Sequence, residues 1–268
     1  MRTLGRSVNR VLRRFGLEIR PVTRSEGIRT RRSSLSTKDR CIEFIGPSGV
    51  GKTTLLNELV NHLAGDWYFR RDLDVARVNQ TPDRVDSKIH WRLLMGKTSR
   101  LEEAEISGFQ KLQFLRYFVQ VVLNDVKLSN GDLKKGFLLD GGLCQNFARE
   151  LLGLEEKEFS FILSARALVF LKPTDAETVV RQIRERAIAG GRLVIHHHGK
   201  TDDELAALTE ISASVFEALA VRAEAAGVPL RVIRAEDPLE SKISALTEFE
   251  QRFIKGEVTV PFSGQQCA

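Results

Sequence analysis

Apolar and polar residues form two kinds of segment along the chain. Short apolar runs of five or six residues have the length and composition of buried strands. They are Cys41–Ile45, Gly136–Asp140, Ala167–Leu171 and Pro229–Arg234. Longer stretches with apolar residues at helical spacing are Phe109–Asp125, Ala176–Ala189 and Asp202–Ala226. Strands that alternate with helices predict a parallel sheet with helices on both faces, and ligands at the carboxyl ends of the strands.

Residues 4–15 carry a different pattern, an apolar stripe on a basic helix. The stripe consists of Leu4, Val8, Val11, Leu12 and Phe15, and the arginines lie mostly off it. Three interpretations stay open. Residues 1–19 bind an anionic membrane surface, they pack on the protein's own domain, or they begin an Arg-rich, acid-poor mitochondrial presequence. Residues 20–39 lack a sustained apolar period, which predicts a linker.

The net charge of +6 is concentrated in the first 40 residues, which hold twelve basic and three acidic side chains. Residues 41–268 therefore carry a net charge of −3, so we expect no nucleic-acid binding by the folded domain. The predicted parts are a basic helix and linker over 1–40, a folded domain over 41–256 and a C-terminal tail over 257–268.

The first predicted strand runs directly into a glycine-rich loop. Its sequence fits G-x-x-x-x-G-K-[ST] at every specified position and is followed by the apolar face of a helix. Such a loop turns its N–H groups toward a polyphosphate, and the helix N-terminus adds positive charge. The predicted nucleotide-binding residues are Gly46, Pro47, Ser48, Gly49, Val50, Gly51, Lys52, Thr53 and Thr54. We expect Lys52 to reach the β- and γ-phosphates and Thr53 to bind Mg²⁺.

A second magnesium ligand is expected where another apolar strand ends in an acidic residue. Asp140 ends the run that begins at Gly136, and it is predicted to bind Mg²⁺ together with Thr53. Gly141 and Gly142 follow it, and we expect them to let the backbone pass close to the phosphates before a helix begins near Gln145.

Basic residues recur on the helix after the Ala167–Leu171 strand. Arg181 and Arg184 lie near one face of this helix, and Gly190 and Gly191 follow as a candidate hinge. Arginines on a mobile element suit phosphoryl transfer, because the transferring group carries dispersed negative charge.

The order of these features resembles thymidylate kinase and the wider nucleoside and nucleotide kinase group. The resemblance covers about residues 41–250 and is specific only at the phosphate loop. It implies a three-layer P-loop NTPase fold with a mostly parallel, five-stranded sheet. One departure stands out: Gly141 replaces the arginine that normally follows the strand-end aspartate, which implies that the acceptor is not thymidylate.

The resemblance also implies roles for individual residues. Asp140 resembles the family's strand-end aspartate, and Arg116 resembles an arginine of the acceptor site. Residues 235–238 resemble the loop that contacts adenine. The counterparts of the family's lid arginines are Arg181, Arg184 and Arg186. The counterparts of its groups at the acceptor phosphate or the reaction centre are Arg70, Arg71 and Asp72.

The predicted activity is a kinase that uses ATP and Mg²⁺ and passes the γ-phosphate to a small-molecule, nucleotide or sugar acceptor. Asp72 or Asp140 would orient the nucleophile. The alternatives are an ATP-hydrolysing P-loop ATPase and a nucleotide-binding switch or adaptor. The sequence lacks, in a plausible place, the Asn-Lys-x-Asp of GTPases, and it lacks the Leu-Ser-Gly-Gly-Gln of transporter ATPases. Both absences favour transfer over hydrolysis.

Other residues are given structural interpretations. The cysteines are three and widely spaced, which argues against a disulfide framework, and Cys144 is expected to be a buried thiol. The run His196, His197 and His198 is interpreted as a polar loop of the lid region rather than a metal site. No apolar run is long enough to span a bilayer, and the chain is expected in the cytoplasm, with residues 1–19 as a candidate membrane contact.

Overall fold

The computed structural model describes residues 40–63, 67–69, 85–130, 135–164, 166–189, 197 and 199–257, with the side chains of 85–87, 129 and 130 excepted. These residues form a five-stranded sheet in the order β2-β3-β1-β4-β5, in which every neighbouring pair is parallel. The strands are β1 Cys41–Ile45, β2 Trp67–Phe69, β3 Gly136–Leu139, β4 Arg166–Lys172 and β5 Leu230–Arg234.

Helices connect the strands. After β1 the chain forms α1 Lys52–Leu59 and a 3₁₀ turn, Val60–His62. The helices between β2 and β4 are α2 Val85–Glu103, α3 Gly108–Asn130, α4 Leu143–Asn146, α5 Ala148–Leu152 and α6 Glu156–Leu163. The remaining helices are α7 Ala176–Ile188, α8 Asp202–Ala225 and α9 Leu239–Lys255.

The sheet is buried between two apolar layers. Successive side chains of a strand point to opposite faces, so Val169 of β4 belongs to an apolar layer with α1, α7 and α9, whereas Phe170 belongs to a layer with α2 to α6 and the C-terminal half of α8. Every residue of β1 and β3 is buried, as expected for parallel strands that are covered on both faces. The predicted three-layer fold with a five-stranded parallel sheet is therefore confirmed.

The topology brings the loop after β1 to the middle of the carboxyl edge. In the sheet order, β2 and β3 lie to one side of β1, and β4 and β5 lie to the other. The connection from β1 runs toward β2, and the connection from β3 runs past β1 to β4. Ligands of parallel α/β sheets bind beside strands whose connections diverge in this way. Residues that follow β1, β3, β4 and β5 are therefore the candidates for a shared site.

The sequence located four of the strands within two residues at each end, and three of the helices, although the first of these, α3, continues to Asn130. It did not identify α2, whose buried positions Ile89, Leu93 and Leu94 face the α3 layer. Trp67 of β2 belongs to the apolar core that includes α1. Among the described helices, none has an apolar stretch long enough to cross a membrane. The predicted helix at residues 4–15 lies outside the described residues.

Candidate functional site

The glycine-rich loop is curled by backbone conformations that favour glycine. Gly46, Gly49 and Gly51 have φ values of 143°, 94° and 89°. Space also matters at two of them: a Cβ on Gly46 would lie 2.6 Å from the Leu171 carbonyl oxygen, and one on Gly49 would lie 2.6 Å from Cγ1 of Ile183. The loop therefore packs between β4 and α7. It leads into α1, and no described side chain caps the N-terminus of this helix.

Lys52 is buried beneath the loop that it ends. Its ammonium group donates to the carbonyl oxygens of Gly46 at 2.6 Å and Pro47 at 2.7 Å. Only 9% of the residue is exposed, and this desolvation lowers the Lys52 pKa to about 7, although Asp140 acts in the opposite direction. A lysine held in this way is close to half-charged at neutral pH.

Thr53 and Asp140 meet at the mouth of the loop. The Thr53 hydroxyl donates to Oδ2 of Asp140 at 2.6 Å. Thr53 is exposed and Asp140 is half-buried, so both side chains face an accessible space. A hydroxyl beside a carboxylate is a pair of oxygen ligands that suits Mg²⁺, and the two residues predicted to share a cation therefore fit that ion.

The loop is also held from the turn after β3. The Gln145 side chain donates from Nε2 to the Gly46 carbonyl and accepts from the Gly46 N–H, each at 3.0 Å. The Gln145 backbone N–H donates to Oε1 of Glu43 at 2.8 Å. Gly142 makes this possible, because a Cβ there would lie 2.7 Å from Cδ of Glu43. Gly142 thus makes room for a buried carboxylate.

Glu43 belongs to a buried network of charged groups that extends from the sheet to two helices. Arg166 donates to Oε2 of Glu43 at 3.1 Å and also to Asp125, and Asp125 contacts His90 Nε2 at 2.7 Å. Burial raises the pKa of Glu43, against the opposing effect of Arg166. Burial also acts to raise the pKa of Asp125, but Arg166 and His90 together hold it below its ordinary value. This network of charged side chains links β1 and β4 to α2 and α3.

The arginines predicted for a lid differ in their surroundings. Arg181 and Arg186 are exposed on α7. Arg184 donates to Oδ1 of Asp202 and to the Lys200 carbonyl oxygen, both at 2.7 Å, which ties α7 to the start of α8. Arg116 is exposed on α3. Arg184 is therefore the only one of these four for which the structure gives a defined hydrogen-bond partner among the described residues.

The turn predicted to contact adenine is bound to the turn after β4. Glu236 accepts hydrogen bonds from the backbone N–H and the hydroxyl of Thr174, at 3.0 and 2.8 Å. Lys242 donates to the Ala235 carbonyl oxygen at 2.7 Å. Residues 235–238 thus form part of the carboxyl edge beside the turn that precedes α7.

Several predicted residues lie outside the described part of the chain. They are Arg70, Arg71, Asp72, Gly190, Gly191, His196 and His198. His197 is buried, and the described residues include no group of three or more potential metal ligands. Cys144 is fully buried, and this burial raises its thiol pKa well above the ordinary value, which confirms the expected structural thiol.

Sequence reasoning missed Glu43, Gln145, Arg166 and their partners. Glu43 lies inside an apolar run, and a charged residue within a buried strand is a signal for a partner that the pattern alone does not identify. Gln145 carries no such signal, because its contact with Gly46 spans 99 positions and depends on the pairing of β1 with β3.

No known family's sequence model matches the chain, and no curated protein sequence matches it. Solved structures similar to it include deoxyadenosine kinase from M. mycoides with bound dATP, at 13% identity and a TM-score of 0.41, covering 78% of this chain and 97% of that one. Shikimate kinase from Bacteroides thetaiotaomicron is 18% identical with a TM-score of 0.39, covering 79% and 98%. A gluconokinase from Sinorhizobium meliloti 1021 is 11% identical with a TM-score of 0.42, covering 82% and 96%.

All three solved proteins are kinases. Likeness this distant carries no argument about this chain, so its fold and the roles proposed below rest on its own geometry. The sheet order, the curled glycine loop and the helix that follows it give this chain the three-layer α/β P-loop fold.

Proposed function

We propose that this chain is a Mg²⁺-dependent phosphotransferase that moves the γ-phosphate of ATP to a small-molecule, nucleotide or sugar acceptor. The observation that carries the proposal is the placement of Lys52, Thr53 and Asp140 around one mouth: an ammonium group under the loop, and a hydroxyl and a carboxylate 2.6 Å apart beside it. These are the groups that phosphoryl transfer requires at the β- and γ-phosphates.

The loop would bind the β-phosphate through backbone N–H groups. Positive φ at Gly49 and Gly51 turns the loop around a concavity, and α1 begins at Lys52 without a side-chain cap. The N-terminus of a helix favours an anion, because its first N–H groups lack intrahelical partners and the helix dipole is positive there. Ser48 and Gly49 are half-buried and Thr54 is exposed.

Lys52 would exchange its present partners for phosphate oxygens. It now donates to two uncharged carbonyl groups, and anionic phosphate oxygens are stronger acceptors for an ammonium group. The exchange would place positive charge where negative charge develops during transfer, which is the largest single contribution that such sites make.

Thr53 and Asp140 would hold the magnesium ion. Because the Thr53 hydroxyl donates a hydrogen bond to Asp140, the lone pairs of its oxygen remain available to a cation. Held by these two residues, the ion would supply positive charge that offsets the negative charge of the phosphates. The role of the protein's own groups is to set the position of the nucleotide relative to the acceptor.

Transfer would proceed by attack of an acceptor oxygen on the γ-phosphorus. The new P–O bond forms as the bond from the γ-phosphorus to the β–γ bridging oxygen breaks, and ADP leaves with that electron pair. The proton of an acceptor hydroxyl passes to a carboxylate, for which Asp72 and Asp140 are the alternatives. The lid role proposed for Arg184 requires that it leave Asp202, whereas Arg181 is already exposed.

The adaptor and ATPase alternatives are separated from the kinase by turnover. ATP consumption is measured with and without a panel of nucleosides, nucleoside monophosphates and sugars, in the wild type and in Lys52→Met. We expect transfer to at least one acceptor, its loss in Lys52→Met, and unchanged transfer in the matched surface variant Lys255→Met. Hydrolysis that no acceptor accelerates would favour the ATPase, and binding without turnover would favour the adaptor.

A further inference from the structure

Gln145 contacts the phosphate loop at the residue where the loop begins. Its Nε2 donates to the carbonyl oxygen of Gly46 and its Oε1 accepts from the Gly46 N–H, each at 3.0 Å. The side-chain amide therefore pairs with one backbone residue in both directions, as a neighbouring strand would. Gly46 is buried and Gln145 is half-buried, and buried backbone polar groups need partners.

The Gly46 carbonyl oxygen has a second donor, which is Lys52. Nζ of Lys52 lies 2.6 Å from this oxygen, and Nε2 of Gln145 lies 3.0 Å from it. When Lys52 turns to a phosphate, Gly46 loses one donor but keeps the other. Without Gln145, the same movement of Lys52 would leave a buried carbonyl without a partner, which opposes the movement.

The backbone of Gln145 is held by a buried carboxylate. Its backbone N–H donates to Oε1 of Glu43, and Oε2 of Glu43 accepts from Arg166 at 3.1 Å. Glu43 is fully buried in β1, three positions before Gly46, and pairs in the sheet with Leu139 of β3. The glutamine is thus fixed at its backbone to the same strand whose end its side chain holds.

We propose that Gln145 is a positioning residue that holds the phosphate loop open and releases Lys52 to the nucleotide. The proposal rests on the proposed function, since it concerns the same loop. It assigns Gln145 an effect on nucleotide affinity through Gly46 and Lys52, with no contact to the acceptor required.

The test compares two substitutions of similar size. Gln145→Leu removes both hydrogen bonds to Gly46. Gln145→Glu keeps an acceptor for the Gly46 N–H, but its second oxygen faces the Gly46 carbonyl and attracts the Lys52 ammonium group. The matched control is Gln120→Leu, because Gln120 is an exposed glutamine that donates to Asn124 on its own helix. Thermal melting of each variant separates loss of folding from loss of binding.

Calorimetry with ATP and Mg²⁺ gives the readout, in the wild-type background and in a Lys52→Met background. We expect Gln145→Leu to raise the Kd about tenfold in the wild-type background, the effect of a single unsatisfied buried group, and Gln120→Leu to leave it unchanged. In the Lys52→Met background the same substitution should have far less effect, because no ammonium group then leaves the Gly46 carbonyl oxygen when ATP binds. A general loss of packing would weaken binding equally in both backgrounds.

The outcomes distinguish this proposal from the proposed function. If the wild type binds no nucleotide, the phosphotransferase assignment is wrong, and the role of Gln145 falls with it. If the wild type binds and both Gln145 variants bind equally well, only the role of Gln145 is rejected. An equal loss of affinity in the wild-type and Lys52→Met backgrounds would also reject it, because the effect would not act through Lys52. If Gln145→Leu fails to fold, Gln145→Glu alone decides.

Discussion

The Thr53 hydroxyl donates a 2.6 Å hydrogen bond to Asp140, a residue 87 positions further along the chain. The sheet explains this contact, because β1 pairs in parallel with β3 and Glu43 lies opposite Leu139. The two strands end at the same edge, so the loop after one meets the residue after the other. The candidate magnesium site therefore depends on strand register as well as on the motif.

Asp140→Asn should weaken magnesium binding without loss of the fold. An amide retains the size of the carboxyl group but not its charge, which a hard divalent cation requires. We expect the Mg²⁺ concentration for half-maximal ATP turnover to rise about tenfold or more. The control is Asp203→Asn, an exposed aspartate at the start of α8. An unchanged magnesium titration in Asp140→Asn would remove this residue from the metal site.

Lys52→Met should stabilise the folded chain at low pH while preventing transfer. Burial lowers the Lys52 pKa to about 7 in the folded state, below its ordinary value of 10.5. Between these values the unfolded state binds more protons, so the wild type gains stability as the pH rises. The melting temperature of Lys52→Met should exceed that of the wild type most clearly at pH 6, and the difference should shrink toward pH 10. A difference that does not change with pH would contradict the burial of a charged Lys52.

ATP binding should take up a proton at pH 8. With a Lys52 pKa of about 7 the free protein carries mostly neutral lysine at this pH, whereas bound phosphates favour its charged form. Calorimetry in two buffers of different ionisation enthalpy should show an uptake approaching one proton per nucleotide at pH 8 and far less at pH 6. Lys52→Arg is the control, since arginine stays charged and should bind nucleotide without this uptake.

Gly49→Ala should destabilise the fold more than Gly51→Ala. Both glycines have positive φ, but only at Gly49 would the new Cβ meet Ile183, at 2.6 Å. We expect a free energy loss of about 1–2 kcal/mol for Gly51→Ala from backbone strain, and a larger loss for Gly49→Ala. Urea unfolding measures both. Adding Ile183→Ala should recover part of the Gly49→Ala loss, and simple additivity would exclude the contact with α7.

Arg166→Met should destabilise the domain strongly and in a pH-dependent way. It leaves Glu43 and Asp125 buried without their cation, which typically costs about 3–5 kcal/mol. The carboxyl pKa values of the folded variant then rise, so the folded state binds more protons and the loss grows as the pH increases. Urea unfolding at pH 5 and pH 8 checks this. Arg222→Met is the control, because its acidic partner Glu156 is exposed and its loss should not depend on pH in this way.

Much of the fold follows from local pattern. β1, β3, β4 and β5 are short apolar runs, and α7 and α8 have both a helical period and capping residues, Asp175 and Thr201. The helix α2 was not predicted because its apolar positions are sparse. They form an apolar face only through their packing with α3. Arg184 was predicted from spacing, yet its partner Asp202 depends on how α7 meets α8.

The phosphate loop could be predicted from the sequence alone, because glycines, a helix start and a lysine at fixed spacing act through backbone geometry within eight residues. The surroundings of that loop depend on how distant segments pack. The pairing of β1 with β3 brings Asp140 to Thr53 and Gln145 to Gly46. The burial of Glu43, Arg166 and Asp125 in one low-dielectric space makes them partners. Such contacts arise from residues distant in the chain, and no local pattern encodes them.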